Sequence, residues 1–128
     1  VSAGDVNGDG FADLIFGGGP GGGPRVRIAD GEALLAAGGF GTLDNPSVAG
    51  LTIANFFAGN DQNRGGVRVA ATDLDRDGLS EVFTGSGDGE QSSVRRYNGT
   101  AVQASSNPAP TLVFDPFGGL IPGGVFVG

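Results

Sequence analysis

The amino-acid sequence repeats itself, and an internal repeat restricts a chain to folds assembled from one unit used more than once. The segment from Val1, VSAGDVNGDGFADLIFGGG, aligns with the segment from Val69, VAATDLDRDGLSEVFTGSG, with acids and glycines in the same phase. The offset, 69 minus 1, is 68 residues. It holds further on, where PRVRIADG (Pro24 to Gly31) aligns with SSVRRYNG (Ser92 to Gly99). A third match sets Gly65 to Val69 against Gly123 to Val127 at an offset of 58 (123 minus 65), so the first copy carries ten extra residues (68 minus 58), near Ala36 to Gly50. The repeats are placed at 1–68 and 69–128, and the terminal half-strands 1–4 and 125–127 fall in the same repeat phase.

Within each unit the pattern is one of short strands. Runs rich in Val, Ile, Leu and Phe, bounded by glycine clusters, predict strands at Ala12 to Gly17, Arg25 to Ala29, Leu51 to Phe57, Val67 to Thr72, Glu81 to Gly85, Ser93 to Tyr97 and Thr111 to Phe114. Short terminal strands are expected at Val1 to Gly4 and Val125 to Val127. Asp30-Gly31 and Asn98-Gly99 read as two-residue hairpin turns, and Glu32 to Ala37 has room for a single helical turn. Four short strands per repeat predict an all-β chain of two four-stranded antiparallel β-propeller blades, each needing a neighbour to cover its faces. Two blades do not close a ring of roughly 4 to 8. The expectation is therefore an incomplete ring, or part of an oligomeric or larger propeller. The start, Val1-Ser2-Ala3-Gly4, matches neither a signal peptide nor an initiator methionine and reads as a processed or excised segment.

Composition supports this reading and narrows the chemistry. A hydrophobic fraction of 38% supplies a core, and 27 glycines without a triplet period suit tight turns. The net charge of −7, with no Lys among the seven basic residues, argues against a nucleic-acid face, and no apolar run is long enough to insert in a membrane. Seven of the fourteen acids, Asp5, Asp9, Asp13, Asp73, Asp75, Asp77 and Glu81, crowd into two nine-residue windows. With neither Cys nor His, thiolate and imidazole metal sites are excluded, and so are the usual general base and thiol nucleophile.

The two windows share one layout. Oxygen-bearing side chains stand at positions 1, 3, 5 and 9: Asp5, Asn7, Asp9 and Asp13 in the first, Asp73, Asp75, Asp77 and Glu81 in the second. Alternate residues of a tight loop converge on one centre, and Ca²⁺ takes six to eight hard oxygens. Phe11 and Leu79, at position 7, are the expected carbonyl donors, and Gly10 and Gly78, at position 6, let the chain double back. An EF-hand would need an acid at position 12, which is Phe16 in one loop and Thr84 in the other. Two Ca²⁺, one per repeat, would bring the charge from −7 to −3 by adding four positive charges. The ligand count suggests an affinity of about 10⁻⁴ to 10⁻³ M, the range of extracellular modules.

The two acidic loops, the strand that follows each, the Phe16-Gly17 pair and the Gly-Pro elements resemble the FG-GAP (integrin α-subunit-like) and related VCBS-type repeats. The resemblance spans essentially the whole chain. It implies an extracellular, calcium-binding propeller blade whose loop between the first two strands surrounds the ion. The second copy departs in reading Phe83-Thr84-Gly85 where the first has Phe-Gly, which leaves its acidic loop intact.

Other features carry blander readings. The Gly17 to Gly23 run has no following Lys-Ser/Thr and no helix, so it is a turn rather than a phosphate loop. Asn98-Gly99-Thr100 fits the N-glycosylation pattern but is explained by the turn. Arg25 and Arg27 alternate with Val26 and Ile28 as in a solvated outer strand, and Phe40, Phe56, Phe57, Phe114, Phe117 and Phe126 are expected as core between blades. The function expected is a non-enzymatic calcium-binding structural or adhesion module, extracellular, at the cell surface or periplasmic. A carbohydrate-binding, lectin-like propeller is the alternative. Expected partners are a protein or glycan, and further blades supplied by a homo-oligomer or by a longer chain.

Overall fold

The alternating runs form strands, and the strands form two separate sheets. The computed structural model of the chain describes residues 1–38 and 50–128. The ten-residue excess near Ala36 to Gly50 thus lies largely outside the described residues, and Phe40 lies outside them too. The first sheet holds β1 (Ser2–Gly4), β2 (Asp13–Gly17), β3 (Arg25–Ala29) and β4 (Thr52–Phe57), in that order. The second holds β5 (Val67–Thr72), β6 (Glu81–Ser86), β7 (Val94–Tyr97) and β8 (Leu112–Phe114), again in chain order. All pairings are antiparallel. The architecture is that of two blade-like sheets, and the described residues do not close a ring.

Alternation decides which side chains go inward. On β3, Val26 and Ile28 are fully buried, while Arg25 and Arg27 turn to β4, with Arg25 Nε donating to Asn55 Oδ1 (2.7 Å) and an Arg27 amino group to Thr52 Oγ1 (3.0 Å). β3 is the third strand rather than the outer one, because β4 takes the edge. One core joins both sheets: Ile15, Ile28, Ala54 and Phe56 from the first meet Val67, Val82 and Tyr97 from the second. The Phe56 and Tyr97 rings lie 5.0 Å apart, tilted by 56°. Main-chain bonds add to the joint, from Ser80 N to the Asp5 carbonyl (2.6 Å) and from Val67 N to the Gly18 carbonyl (2.8 Å). The Gly17 to Gly23 run is the β2–β3 turn and also a docking surface, since Gly21 N donates to the Arg64 carbonyl and Gly66 N to that of Gly22.

Four sequence expectations are corrected here. Asp30-Gly31 and Asn98-Gly99 are not hairpin turns: each opens a short helix, α1 (Gly31–Ala36) and α2 (Gly99–Ala104). Asp30 caps α1 by accepting from Ala33 N (2.9 Å), the alternative use of an Asp that precedes a helical run. Only Phe56 among the described core phenylalanines is buried; Phe57, Phe114, Phe117 and Phe126 are 45%, 46%, 64% and 76% exposed. Phe57 follows Phe56 on one strand and so points to the opposite side. Phe114 lies on edge strand β8, with no further sheet beyond it among the described residues, and Phe126 lies under the Arg68 guanidinium, 4.9 Å from the ring centre. Finally, Val125 to Val127 joins no strand ladder, although Val125 N donates to the Ser86 carbonyl (2.8 Å).

Candidate metal centres

Each acidic window becomes the loop between the first two strands of its sheet. In the first, Asp5 organises the turn: Oδ1 accepts from Gly8 N (2.6 Å) and Oδ2 from Gly10 N (2.8 Å). Asn7 and Asp9 are mutually bonded, and Asp9 Oδ1 also accepts from Phe11 N (2.7 Å). The chain reverses at Gly10, whose φ of 88° is matched by 90° at Gly78, the equivalent residue of the second loop.

Asp13 is the most enclosed member. It is fully buried, with Oδ2 accepting from Val6 N (2.8 Å) and Oδ1 from Gly31 N (2.9 Å), so one carboxylate ties the loop to the start of α1. Burial pushes its pKa above the ordinary 3.8, the two backbone donors oppose that rise, and the charges of Asp9 and Asp30 add to it.

The second loop has the same length and repeats the plan, with Glu81 in place of an Asp at its last position. Glu81, 2% exposed, stands where Asp13 does and accepts from Leu74 N (3.0 Å) as Asp13 does from Val6 N. Asp73 Oδ2 accepts from Gly78 N (3.1 Å), and Asp77 Oδ1 from Leu79 N (2.8 Å). Asp73 Oδ1 is buried and has no hydrogen-bond partner. Arg76, at φ 64°, takes the left-handed conformation that Gly8 takes in the first loop.

Among the described residues two sets of carboxylates converge: Asp9, Asp13 and Asp30, and Asp73, Asp75 and Glu81, each offering an oxygen within 4.8 Å of the others. Asp5 and Asp77 are outside these sets and hold loop amides instead, while Asn7, Phe11 and Leu79 lie in the loops beside them. Asp30 is the member that sequence reasoning missed. An Asp directly before GEALLA is a helix-start signal, which would have identified Asp30 as the cap of α1 but not as a neighbour of the loop. Two oxygens on one Ca²⁺, each at about 2.3–2.6 Å, lie at most about 5.2 Å apart, so the observed convergence fits a single ion. The donors are all hard oxygens, and the partnerless Asp73 Oδ1 is the kind of atom that a cation would satisfy.

Residues 1–32 match the family model for the FG-GAP repeat. That stretch runs from β1 through the first acidic loop to the second residue of α1, and the match is consistent with an FG-GAP-type repeat there. Repeats of this family are generally structural and typical of extracellular or cell-surface proteins. No curated protein and no solved structure matches the chain. No helix among the described residues is long and apolar enough to cross a membrane.

Proposed function

We propose that the chain is a non-enzymatic structural module of an extracellular or cell-surface adhesion protein, binding two Ca²⁺, one in each acidic loop. The observation that carries this reading is the convergence of three carboxylates at the acidic loop of each repeat, with Asp13 and Glu81 as the equivalent members of the two sets and an oxygen of Asp73 buried without a partner. Uncompensated, such groups repel one another and destabilise the fold. Asp9, Asp13 and Asp30 would hold the first ion, with Asp5, Asn7 and the Phe11 carbonyl completing the shell. Asp73, Asp75 and Glu81 would hold the second, with Asp77 and the Leu79 carbonyl. Bound calcium supplies charge neutralisation, and the protein's part is to fix the frame: Asp13 and Glu81 each anchor the first turn of their loop through a backbone N–H.

The same reading extends to further blades. Val125 N bonds Ser86 as Val67 N bonds Gly18, each at 2.8 Å, which supports docking of another repeat, from a longer chain or a second copy, on the second sheet as the second docks on the first.

Calorimetric titration tests the calcium reading. The chain should take up two Ca²⁺, Asp9→Asn should remove one event and Asp75→Asn the other. Absence of calcium heat at millimolar concentration would reduce both loops to polar turns.

A further inference from the structure

The acidic loops occupy one end of the sheets, and the opposite end holds a different kind of site. Because β5, β6 and β7 are antiparallel neighbours, the β5–β6 and β6–β7 connections leave opposite ends of β6. At the β6–β7 end is an open pocket of about 550 Å³, lined by the β4–β5 connection, the β6–β7 connection, β7 and β8. That volume lies within the roughly 300–1,000 Å³ of small-molecule sites.

Its walls hold polar groups that the fold leaves unused. Ser93 is 8% exposed, and its Oγ is buried with no hydrogen-bond partner; Glu90 Oε1 is in the same state. Arg95 lines the pocket with a guanidinium that makes no hydrogen bond among the described residues. It reaches across to Gly59, whose ideal Cβ would lie 3.5 Å from one of its nitrogens. Asn60 and Asn63 each commit their side-chain oxygen to a backbone N–H, of Gln62 and Gly65, leaving both amide NH₂ groups to face other partners. Phe114, 46% exposed, adds an apolar surface. By contrast Asp115 is fully engaged by Gln91, Ser92 and the backbone N–H groups of Phe117 and Gly118.

These groups select a ligand by elimination. Spare donors on Arg95, Asn60, Asn63 and Ser93 stand beside a spare acceptor on Glu90, so the matching group must both accept and donate, as a hydroxyl does. An anion would meet Glu90 and Asp115, and a cation would meet Arg95. Burial raises the Glu90 pKa, with the Arg95 charge opposing the rise, so further charge at this spot is disfavoured. A ring with an apolar face and a hydroxylated rim would use Phe114 and the polar wall together.

We propose that this pocket binds a neutral saccharide, with Arg95, Ser93 and Glu90 reading its hydroxyls and Phe114 supporting its ring. The site does not depend on the acidic loops and stands or falls separately from them. The test is saturation-transfer NMR on the whole chain with the methyl glycosides of glucose, galactose, mannose and N-acetylglucosamine, and with glucuronate as the charged control. At least one neutral glycoside should give transfer, and Arg95→Gln and Ser93→Ala, with wild-type circular dichroism and melting, should each weaken it about tenfold or more. No transfer from any neutral glycoside, transfer unchanged in both variants, or preference for glucuronate would overturn the proposal.

Discussion

Asp30 serves two structures at once. Its Oδ1 caps α1 through Ala33 N, while a carboxylate oxygen joins Asp9 and Asp13. The second repeat divides these roles: the equivalent residue, Asn98, makes no side-chain cap bond, and its loop completes its carboxylate set with Asp75. Asn is as good an N-cap as Asp, so Asp30→Asn separates cap from ligand. The variant should melt within about 1 kcal/mol of wild type without calcium. Its first-site calcium affinity should fall about tenfold, and its second site should be unchanged. Calorimetry on the variant checks both halves. An unaltered first site would leave Asp30 as a helix cap alone.

At the level of elements, the two short helices rest on glycines chosen for space rather than turn geometry. An ideal Cβ on Gly31 would lie 2.1 Å from the Ala12 carbonyl oxygen, and one on Gly99 would lie 2.6 Å from that of Val6. Backbone cannot move aside as a side chain does, so Gly31→Ala should cost about 1–3 kcal/mol. Because Gly31 N also donates to Asp13, the same variant should loosen the first calcium site; chemical denaturation and calcium titration read the two effects. These glycines also show why α2 escaped sequence reading, and why α1 was expected only as a single turn at Glu32 to Ala37 behind a hairpin. Asp-Gly and Asn-Gly are strong hairpin signals, and six helical residues are too few to reveal a 3.6-residue period. The strands were legible because alternation such as Arg25 to Ala29 survives in a single sheet. Their ends shifted by only a residue or so, as at Asp13 and Val94. The acidic loops were legible through spacing alone. Asp30 was not, because it reaches the first loop through tertiary folding 17 residues after Asp13 (30 minus 13). The burial of the phenylalanines was not legible either, since it depends on which sheet faces have a neighbour.

For the whole molecule the question is whether two sheets make one cooperative unit. Among the described residues they share one apolar cluster, and its aromatic contact, Phe56 on β4 with Tyr97 on β7, spans both sheets. Neither sheet buries its inner face without the other, and a lone four-stranded sheet would expose that face to water. Unfolding should therefore be two-state. Tyr97 is the only tyrosine and tryptophan is absent, so intrinsic fluorescence reports the joint between the sheets while far-ultraviolet circular dichroism reports all the strands. In urea the two curves should coincide, and calcium at about a hundred times its Kd should stabilise by about 2.7 kcal/mol per site, moving both curves together. Phe56→Ala leaves the fluorophore in place and empties its side of the contact, at a cost of about 3–5 kcal/mol. If the sheets are one unit, both probes in that variant shift to the same lower midpoint. If they are two, fluorescence changes first and circular dichroism follows in a second step, and the joint is then a docking contact between independently folded blades.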